Sequence, residues 1–322
     1  MNLNRKLQDE YDIIIIGGGP AGLTAGLYAA RARMKTLLIE KMVWGGQAAI
    51  TENIENYPGF PEGISGAELT SLMKEQAARF DLEFLDADAN SIKDAQLAGG
   101  QGFEISTGQG ASAGLAVIVA TGAQSKELGV PGEERLKGRG VSYCATCDGP
   151  FFRDQDIVVV GGGDTAVQEG LFLTNFGRKV SLVHRRDRLR ATKILQERAF
   201  SNPKMDFVWD SVVTEILGDG KVEGIRTKNI KTNEERTIPA QGVFVFVGIE
   251  PGTGFLQGIV DIDEAGYVIT DEDMKTSRDG IYACGDARKK LLRQVVTACG
   301  EGATAAFAAQ HYVEEIKGTA YK

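Results

Sequence analysis

Asp12-Ile-Ile-Ile-Ile16-Gly17-Gly18-Gly19-Pro20-Ala21-Gly22 decides how this chain is read. The β-branched run predicts a parallel strand buried on both faces. Glycines follow at once in the pattern G-x-G-x-x-G, carried by Gly17, Gly19 and Gly22. Leu23 to Arg31 predicts a helix, and Lys35 to Ile39 a second strand ending in Glu40. Each part of such a unit has a task. One glycine makes the tight turn, one lets the backbone approach a pyrophosphate, and one lets helix and strand pack closely. The acid holds ribose hydroxyls. A glycine turn that served packing alone would not need the acid, so dinucleotide binding is the expectation.

The pattern recurs. Asp156-Ile-Val-Val-Val160 leads into Gly161-Gly162-Gly163-Asp164-Thr165-Ala166. Asp12 maps to Asp156, Gly17 to Gly161, Gly19 to Gly163, and Gly22 to the small Ala166. Glu40 maps to His184, followed by Arg185 and Arg186, with Arg190 beyond. A carboxylate suits free ribose hydroxyls, as in FAD or NAD. Guanidinium groups suit a 2′-phosphate, which a carboxylate would repel. NADPH is the expectation for the second site, and the alternative is a solvated basic strand end.

The remaining composition is that of an ordinary globular protein, 43% hydrophobic and 25% charged in 322 residues. Net charge is −8, whereas a general nucleic-acid binder would carry a basic footprint. No apolar run approaches the ~18 residues of a membrane span. Met1 to Glu10 is polar and has no apolar signal core. A cytoplasmic protein without nucleic-acid or membrane partners is the expectation. Glycine is abundant, with 41 residues clustered at turns after apolar runs, the punctuation of α/β folds.

Four cysteines occur, at 144, 147, 284 and 299. Cys144-Ala145-Thr146-Cys147-Asp148-Gly149 holds two as a CxxC, which in a reducing compartment reads as redox-active. Zinc would need two further ligands, and Cys284, Cys299, His184 and His311 offer no paired finger spacing. No metal is expected. Cys284 and Cys299 read as buried small apolar residues, and His311 as part of a helix surface. An anionic Asp148 beside Cys147 would disfavour a thiolate, so it suits a proton donor or acceptor, or else a turn residue.

Gly280-Ile-Tyr-Ala-Cys-Gly285-Asp286 is an apolar strand ending in Gly-Asp. It suits either a carboxylate aimed at a ribitol hydroxyl or a plain strand with an Asp turn. Val117 to Gly122 reads as a strand end without chemistry. Ala95 to Gly114 reads as a hairpin with a soft tip, and Val243 to Val247 as a buried strand. Val295 to Tyr312 is Ala-rich, contains Gly300 and Gly302, and reads as a closely packed helix. Its opening Arg293-Gln294-Val295 could face an electron-accepting ring or be an ordinary polar helix start.

The fold class is therefore α/β, with two Rossmann-like dinucleotide-binding domains, the second inserted into the first. The expected limits are 1–122 and 248–322 for the first domain, which suits FAD or NAD, and 123–247 for the inserted NADPH domain with the CxxC.

In this order the motifs resemble those of the low-molecular-weight bacterial thioredoxin reductases, flavin-dependent pyridine nucleotide-disulfide oxidoreductases. Gly17 to Gly22, Gly45-Gly46-Gln47, Glu55-Asn56-Tyr57-Pro58-Gly59, the CATCDG hexapeptide, His184-Arg-Arg-Asp187, Gly285-Asp286 and Arg293-Gln294-Val295 carry the resemblance through almost the full length. It implies that the split domain is the FAD domain, with the NADPH domain inserted into it. It implies that Gly17, Gly19, Pro20, Ala21, Gly22, Glu40, Gly46, Gln47, Asn56, Gly285, Asp286, Arg293, Gln294 and Val295 hold FAD. It implies that Gly161, Gly163, Asp164, Thr165, Ala166, His184, Arg185, Arg186 and Arg190 hold NADPH. Cys144 and Cys147 would form the redox disulfide, Cys147 nearer the flavin, with Asp148 as acid. The implied reaction runs from NADPH through FAD and the disulfide to thioredoxin, in a homodimer whose NADPH domain rotates between steps. Gly252 and Gln168 depart from the family pattern without touching this chemistry. The alternatives are a flavin-dependent dithiol oxidase acting on a small molecule, a peroxide-defence flavoprotein reductase, and a nucleotide-binding redox sensor. The intact arginines of the second motif speak against the oxidase, the short lead before the first strand against the peroxide-defence relative, and the CxxC-Asp against the sensor.

Overall fold

The computed structural model describes residues 10–51 and 53–320. Of the polar N-terminal stretch, Met1 to Asp9 lies outside the described residues. The chain divides into two compact units, residues 1–124 with 250–322, and residues 125–249.

The first unit is built on a seven-stranded sheet. Glu10–Ile16 lies centrally, parallel to Thr36–Glu40 on one side and Gly110–Val119 on the other. Ile13, Ile14 and Ile15 are fully buried because both faces of this strand are covered. Glu83–Asp86 extends the parallel edge. The segment expected as one hairpin, Ala95 to Gly114, belongs to a three-stranded antiparallel meander of Ala89–Leu97, Gly100–Thr107 and Gly110–Val119. The apolar second half of Gly110–Val119 leaves the meander and pairs in parallel with Ile281–Ala283. That single strand joins the early and late parts of the unit.

Helix Pro20–Arg31 leaves the first strand through the glycine turn, and helix Val295–Lys317 packs across it. The crossing is close because both surfaces are small. A Cβ on Gly302 would lie 2.2 Å from the Ala21 carbonyl oxygen, and one on Gly285 would lie 2.8 Å from the Ala21 Cβ. Ala21 thus brings three distant stretches of sequence to one point.

In the second unit Asp156–Gly161 is central to a five-stranded parallel sheet. Lys179–Val183 and Gly242–Phe246 flank it, with Met205–Val208 and Val141–Ser142 at the edges. A three-stranded antiparallel sheet, Ser211–Leu217, Gly224–Asn229 and Glu235–Pro239, completes the unit. The register matches that of the first unit. Ile16 pairs with Ile39 and Val160 with Val183, so Glu40 and His184 each come directly after the last residue paired with the first strand. Asp12 and Asp156 also match. Asp12 accepts from the Lys35 amide at 3.1 Å, and Asp156 binds Arg178, each fixing the entry to the neighbouring strand. The chain passes between units through Ala123–Ser125 and Ile249–Pro251, which make a two-stranded ribbon of their own.

Candidate active site

The glycines of the two turns fall into two kinds, those closed in by neighbours and those left open. A Cβ on Gly22 would stand 1.8 Å from the Gly17 carbonyl oxygen, and one on Gly17, at φ +109°, 2.3 Å from that of Ala120. Gly161 is likewise closed, by Phe246 and Ala166. Gly19 and Gly163 are open, with nothing within 4 Å of an added Cβ. Both have extended backbone at the N-cap of the following helix, with Pro20 and Asp164 as its first residues. A fold does not need glycine at an uncrowded, ordinary φ, so the free space there is what a pyrophosphate requires. The middle glycines lie beneath the residue that ends the second strand. Gly18 packs under Glu40 and Trp44, and Gly162 under the His184 ring.

In the first unit Glu40 is pinned as an acceptor, taking the Gly18 amide at 2.6 Å and the Met42 amide at 2.8 Å. Its remaining lone pairs border a cavity of about 340 Å³, lined also by Gly17, Lys41, Asn90 and Thr121. Gly45 and Gly46, both at positive φ, fold over the turn, the Gly45 amide donating to the Gly18 carbonyl at 2.8 Å. Gln47 is exposed in the short helix that follows. Asn56 donates to Gln294 Oε1 at 3.0 Å, and Val295 packs on Ile54, Ile64 and Leu69. This ties the 56 and 294 segments together. Arg293 stacks over Tyr267 at 4.0 Å.

Three buried polar atoms here lack a hydrogen-bond partner: Thr121 Oγ1, Asp286 Oδ1 and Arg293 Nε. Lys290 lies 3.1 Å from Asp286 Oδ1, outside hydrogen-bond alignment. Buried polar groups left without a hydrogen bond are costly, and two of them stand at the turn: Thr121 lies against Gly17, and Asp286 follows Gly285, which packs on Ala21. The donor set fits a large polar cofactor such as FAD. Thr121, at a strand end that reads as bland in the sequence, belongs to this set, and no motif marks it.

In the second unit Asp164 accepts from the Thr192 amide at 2.6 Å, Thr165 is exposed and Ala166 is fully buried. His184 is buried, and its Nε2 has no partner. Burial holds its pKa below the ordinary value, reinforced by Arg190, Arg186 and Arg185. Those three arginines are exposed and form no ion pair among the described residues. A neutral histidine under exposed guanidiniums, with a nitrogen unsatisfied, fits a 2′-phosphorylated dinucleotide.

Cys144 and Cys147 are joined as a disulfide, and the Cys147 amide donates to Cys144 Sγ at 3.1 Å. Ala145 is fully buried in one cluster with Ala166, Val167 and Leu173, which seats the cysteine segment on the helix of its own fingerprint. Cys144 is half-buried and Cys147 exposed. Asp148 ends the short helix Ala145–Asp148, and Thr146 Oγ1 is buried without a partner. Upstream, the buried Glu133 accepts from the Leu128 and Gly129 amides at 2.9 and 2.7 Å and from the Tyr143 hydroxyl at 2.7 Å. Burial and this carboxylate push the Tyr143 pKa well up. Glu133 thereby fixes the residue preceding Cys144, and the sequence carries no signal of it.

Cys284 is fully buried, and burial pushes its thiol up to about 12. Cys299 corrects the expectation of burial. It is half-exposed, with the Tyr57 hydroxyl 3.9 Å from its sulfur. Its sulfur lies 3.9 Å from the Pro20 carbonyl oxygen near the helix start, which covers it only in part. His311 is exposed beside Phe307. No helix among the described residues is long and apolar enough to cross a membrane.

The family profile described as pyridine nucleotide-disulphide oxidoreductase matches residues 11–302. A thioredoxin reductase of Listeria monocytogenes is 48% identical over 309 residues, 95% of each chain. The solved thioredoxin reductase of Lactococcus lactis, in its FR conformation, matches at TM-score 0.91 and 47% identity, covering 95% of this chain and 99% of that one. That of T. acidophilum matches at 0.89 and 34% identity, covering 96% and 100%.

Proposed function

The chain belongs to the pyridine nucleotide-disulphide oxidoreductase family, and from that we propose that it is an NADPH-dependent thioredoxin-disulfide reductase with FAD as cofactor. The observation that carries the proposal is the Cys144–Cys147 disulfide seated on the helix of a dinucleotide turn whose acid is replaced by His184, Arg185 and Arg186. A nicotinamide site and a reducible disulfide on one unit, with a second dinucleotide turn on another, need a carrier of two electrons. Bound FAD supplies that chemistry, accepting a hydride and yielding two electrons to a disulfide. The net change is NADPH, a proton and a protein disulfide giving NADP⁺ and a dithiol.

We assign FAD to residues 1–122 and 248–322, through Gly17, Gly19, Glu40, Gly46, Asn56, Asp286 and Arg293. NADPH falls to residues 123–247, through Gly161, Gly163, His184, Arg185, Arg186 and Arg190. The Cys147 amide favours the thiolate of Cys144 once the pair is reduced. Asp148 holds or releases the thiol proton. Phe151, 76% exposed beyond the pair, offers an apolar contact to a protein substrate. Because disulfide and nicotinamide site share one unit, each must face the flavin in turn, and the ribbon at Ala123–Ser125 and Ile249–Pro251 is the hinge. A crosslink fixing one arrangement should allow a half-reaction and stop turnover; full turnover would refute the hinge. A homodimer in the cytoplasm completes the proposal, and light scattering on the eluted protein tests the dimer.

The test of function is reduction of a thioredoxin in steady state with NADPH, with NADH and with neither. NADPH-dependent turnover is expected. Its absence with every thioredoxin would refute the reading.

A further inference from the structure

Four charged side chains meet beneath the start of helix Val295–Lys317, and only Asp286 among them belongs to a nucleotide motif. Glu301 is central. Its Oε2 accepts the Gly285 amide at 2.9 Å and lies 3.3 Å from Lys290 Nζ, and its Oε1 accepts from Arg288 at 3.0 Å. Lys290 also reaches Asp286 Oδ1, and Arg288 donates to Thr270 at 2.8 Å. The Lys290 side chain is 5% exposed, and those of Arg288 and Glu301 are 14%. Two acids and two bases balance in a place where an uncompensated charge would be costly.

We propose that Glu301 is a positioning residue for the flavin, a proposal that rests on the assignment of FAD to this unit. Glu301 holds Arg288 and takes the aligned hydrogen bond of Lys290 at 3.3 Å, so Lys290 stands 3.1 Å from Asp286 Oδ1 without hydrogen-bond alignment. Asp286 Oδ1, in ion-pair reach of Lys290 but without a hydrogen bond, keeps its acceptor capacity for a hydroxyl of the cofactor. Glu301 also satisfies the amide of Gly285, which stands at φ +71° with no room for a side chain against Ala21. Removing the charge of Glu301 leaves two cations facing one carboxylate, and Asp286 is the group they turn to.

The experiment compares purified holoprotein of wild type, Glu301→Gln, Lys290→Met and the double variant. The readouts are flavin release on dilution into FAD-free buffer, followed by fluorescence, and the circular dichroism spectrum. Glu301→Gln should release flavin about ten-fold faster or more, the scale of one lost charge-assisted hydrogen bond. The double variant restores the balance of one acid and one base, so its release should return most of the way to wild type. A purely structural role would make the double variant worse than either single one. Release from Glu301→Gln at the wild-type rate, or a double variant no better than Glu301→Gln, would overturn the proposal. A wild-type protein that holds no flavin would instead overturn the FAD assignment itself.

Discussion

Gly19 and Gly22 sit three residues apart in one motif, yet alanine at each should fail in opposite ways. At Gly22 the new Cβ would stand 1.8 Å from a backbone oxygen of Gly17, which cannot move without unmaking the turn. Overpacking against backbone exceeds the usual 1–3 kcal/mol, so Gly22→Ala should cost about 3 kcal/mol or more, or abolish folding of the first unit. At Gly19 the backbone is extended, with φ −73°, and the space is empty. Alanine there should stabilise the apoprotein by about 0.4–1 kcal/mol, through the unfolded chain. Its methyl group nevertheless occupies the approach of a pyrophosphate. Losing one charge-assisted hydrogen bond there costs about 1.5–3 kcal/mol, which is roughly 10- to 150-fold in affinity. Gly163→Ala should do the same to NADPH in the second unit, where φ is −93°. The assay is calorimetry of the apoproteins, read as separate unit transitions, with FAD and NADPH titrations of each variant. Each open-site variant should melt at or slightly above wild type, lose one nucleotide and spare the other. Wild-type FAD affinity in Gly19→Ala, or melting as poor as that of Gly22→Ala, would refute the reasoning.

Cys144→Ser and Cys147→Ser should each reduce thioredoxin turnover to background while NADPH still bleaches the flavin absorbance, and the variant that traps a mixed disulfide with thioredoxin identifies the attacking sulfur. Arg185→Ala with Arg186→Ala should weaken NADPH by about 1.5–3 kcal/mol per lost charge-assisted contact and leave NADH nearly unchanged, as KM values would report. Glu133→Gln places an amide donor against the Leu128 or Gly129 amide. It should cost the second unit about 2–4 kcal/mol, seen as a lower urea midpoint. His184 is buried with its pKa below the ordinary value near 6.5. The unfolded state then binds more protons, so the stability this neutral ring secures is complete above about pH 6.5 and declines as pH falls toward the folded pKa. His184→Gln should flatten that part of the pH dependence of unfolding.

Much of the nucleotide chemistry is legible in the sequence because βαβ units are local. Strand, turn, helix and strand end lie within one short stretch, so Glu40 and His184 can be matched by counting. Thr121, Tyr267, Lys290 and Glu301 cannot be found that way. They reach the site through strand pairing and through the close crossing of two helices, and nothing in their own neighbourhood marks them. Glu133 is hidden for a related reason: its partners are backbone amides, which every residue has. Cys299 departs from its expected burial because the Pro20 carbonyl near the helix start covers its sulfur only in part, which composition does not show. The meander at Ala89–Val119 reads as a shorter hairpin because its first strand alternates weakly, with exposed Lys93 and Asp94 in its middle.

The contact of Ala21 with Gly285 and Gly302 has a consequence for biosynthesis. A ribosome releases the first glycine turn early and the helix that closes on it long after. The unit carrying the cysteines is one continuous stretch between them and can acquire its structure while translation continues. The first unit, with its long-range contacts, has to wait. A nascent chain arrested before Gly280 should therefore protect residues 125–249 from protease while the first fingerprint is still cut. On the proposed assignment, the first unit would take up its cofactor only after the helix Val295–Lys317 has emerged.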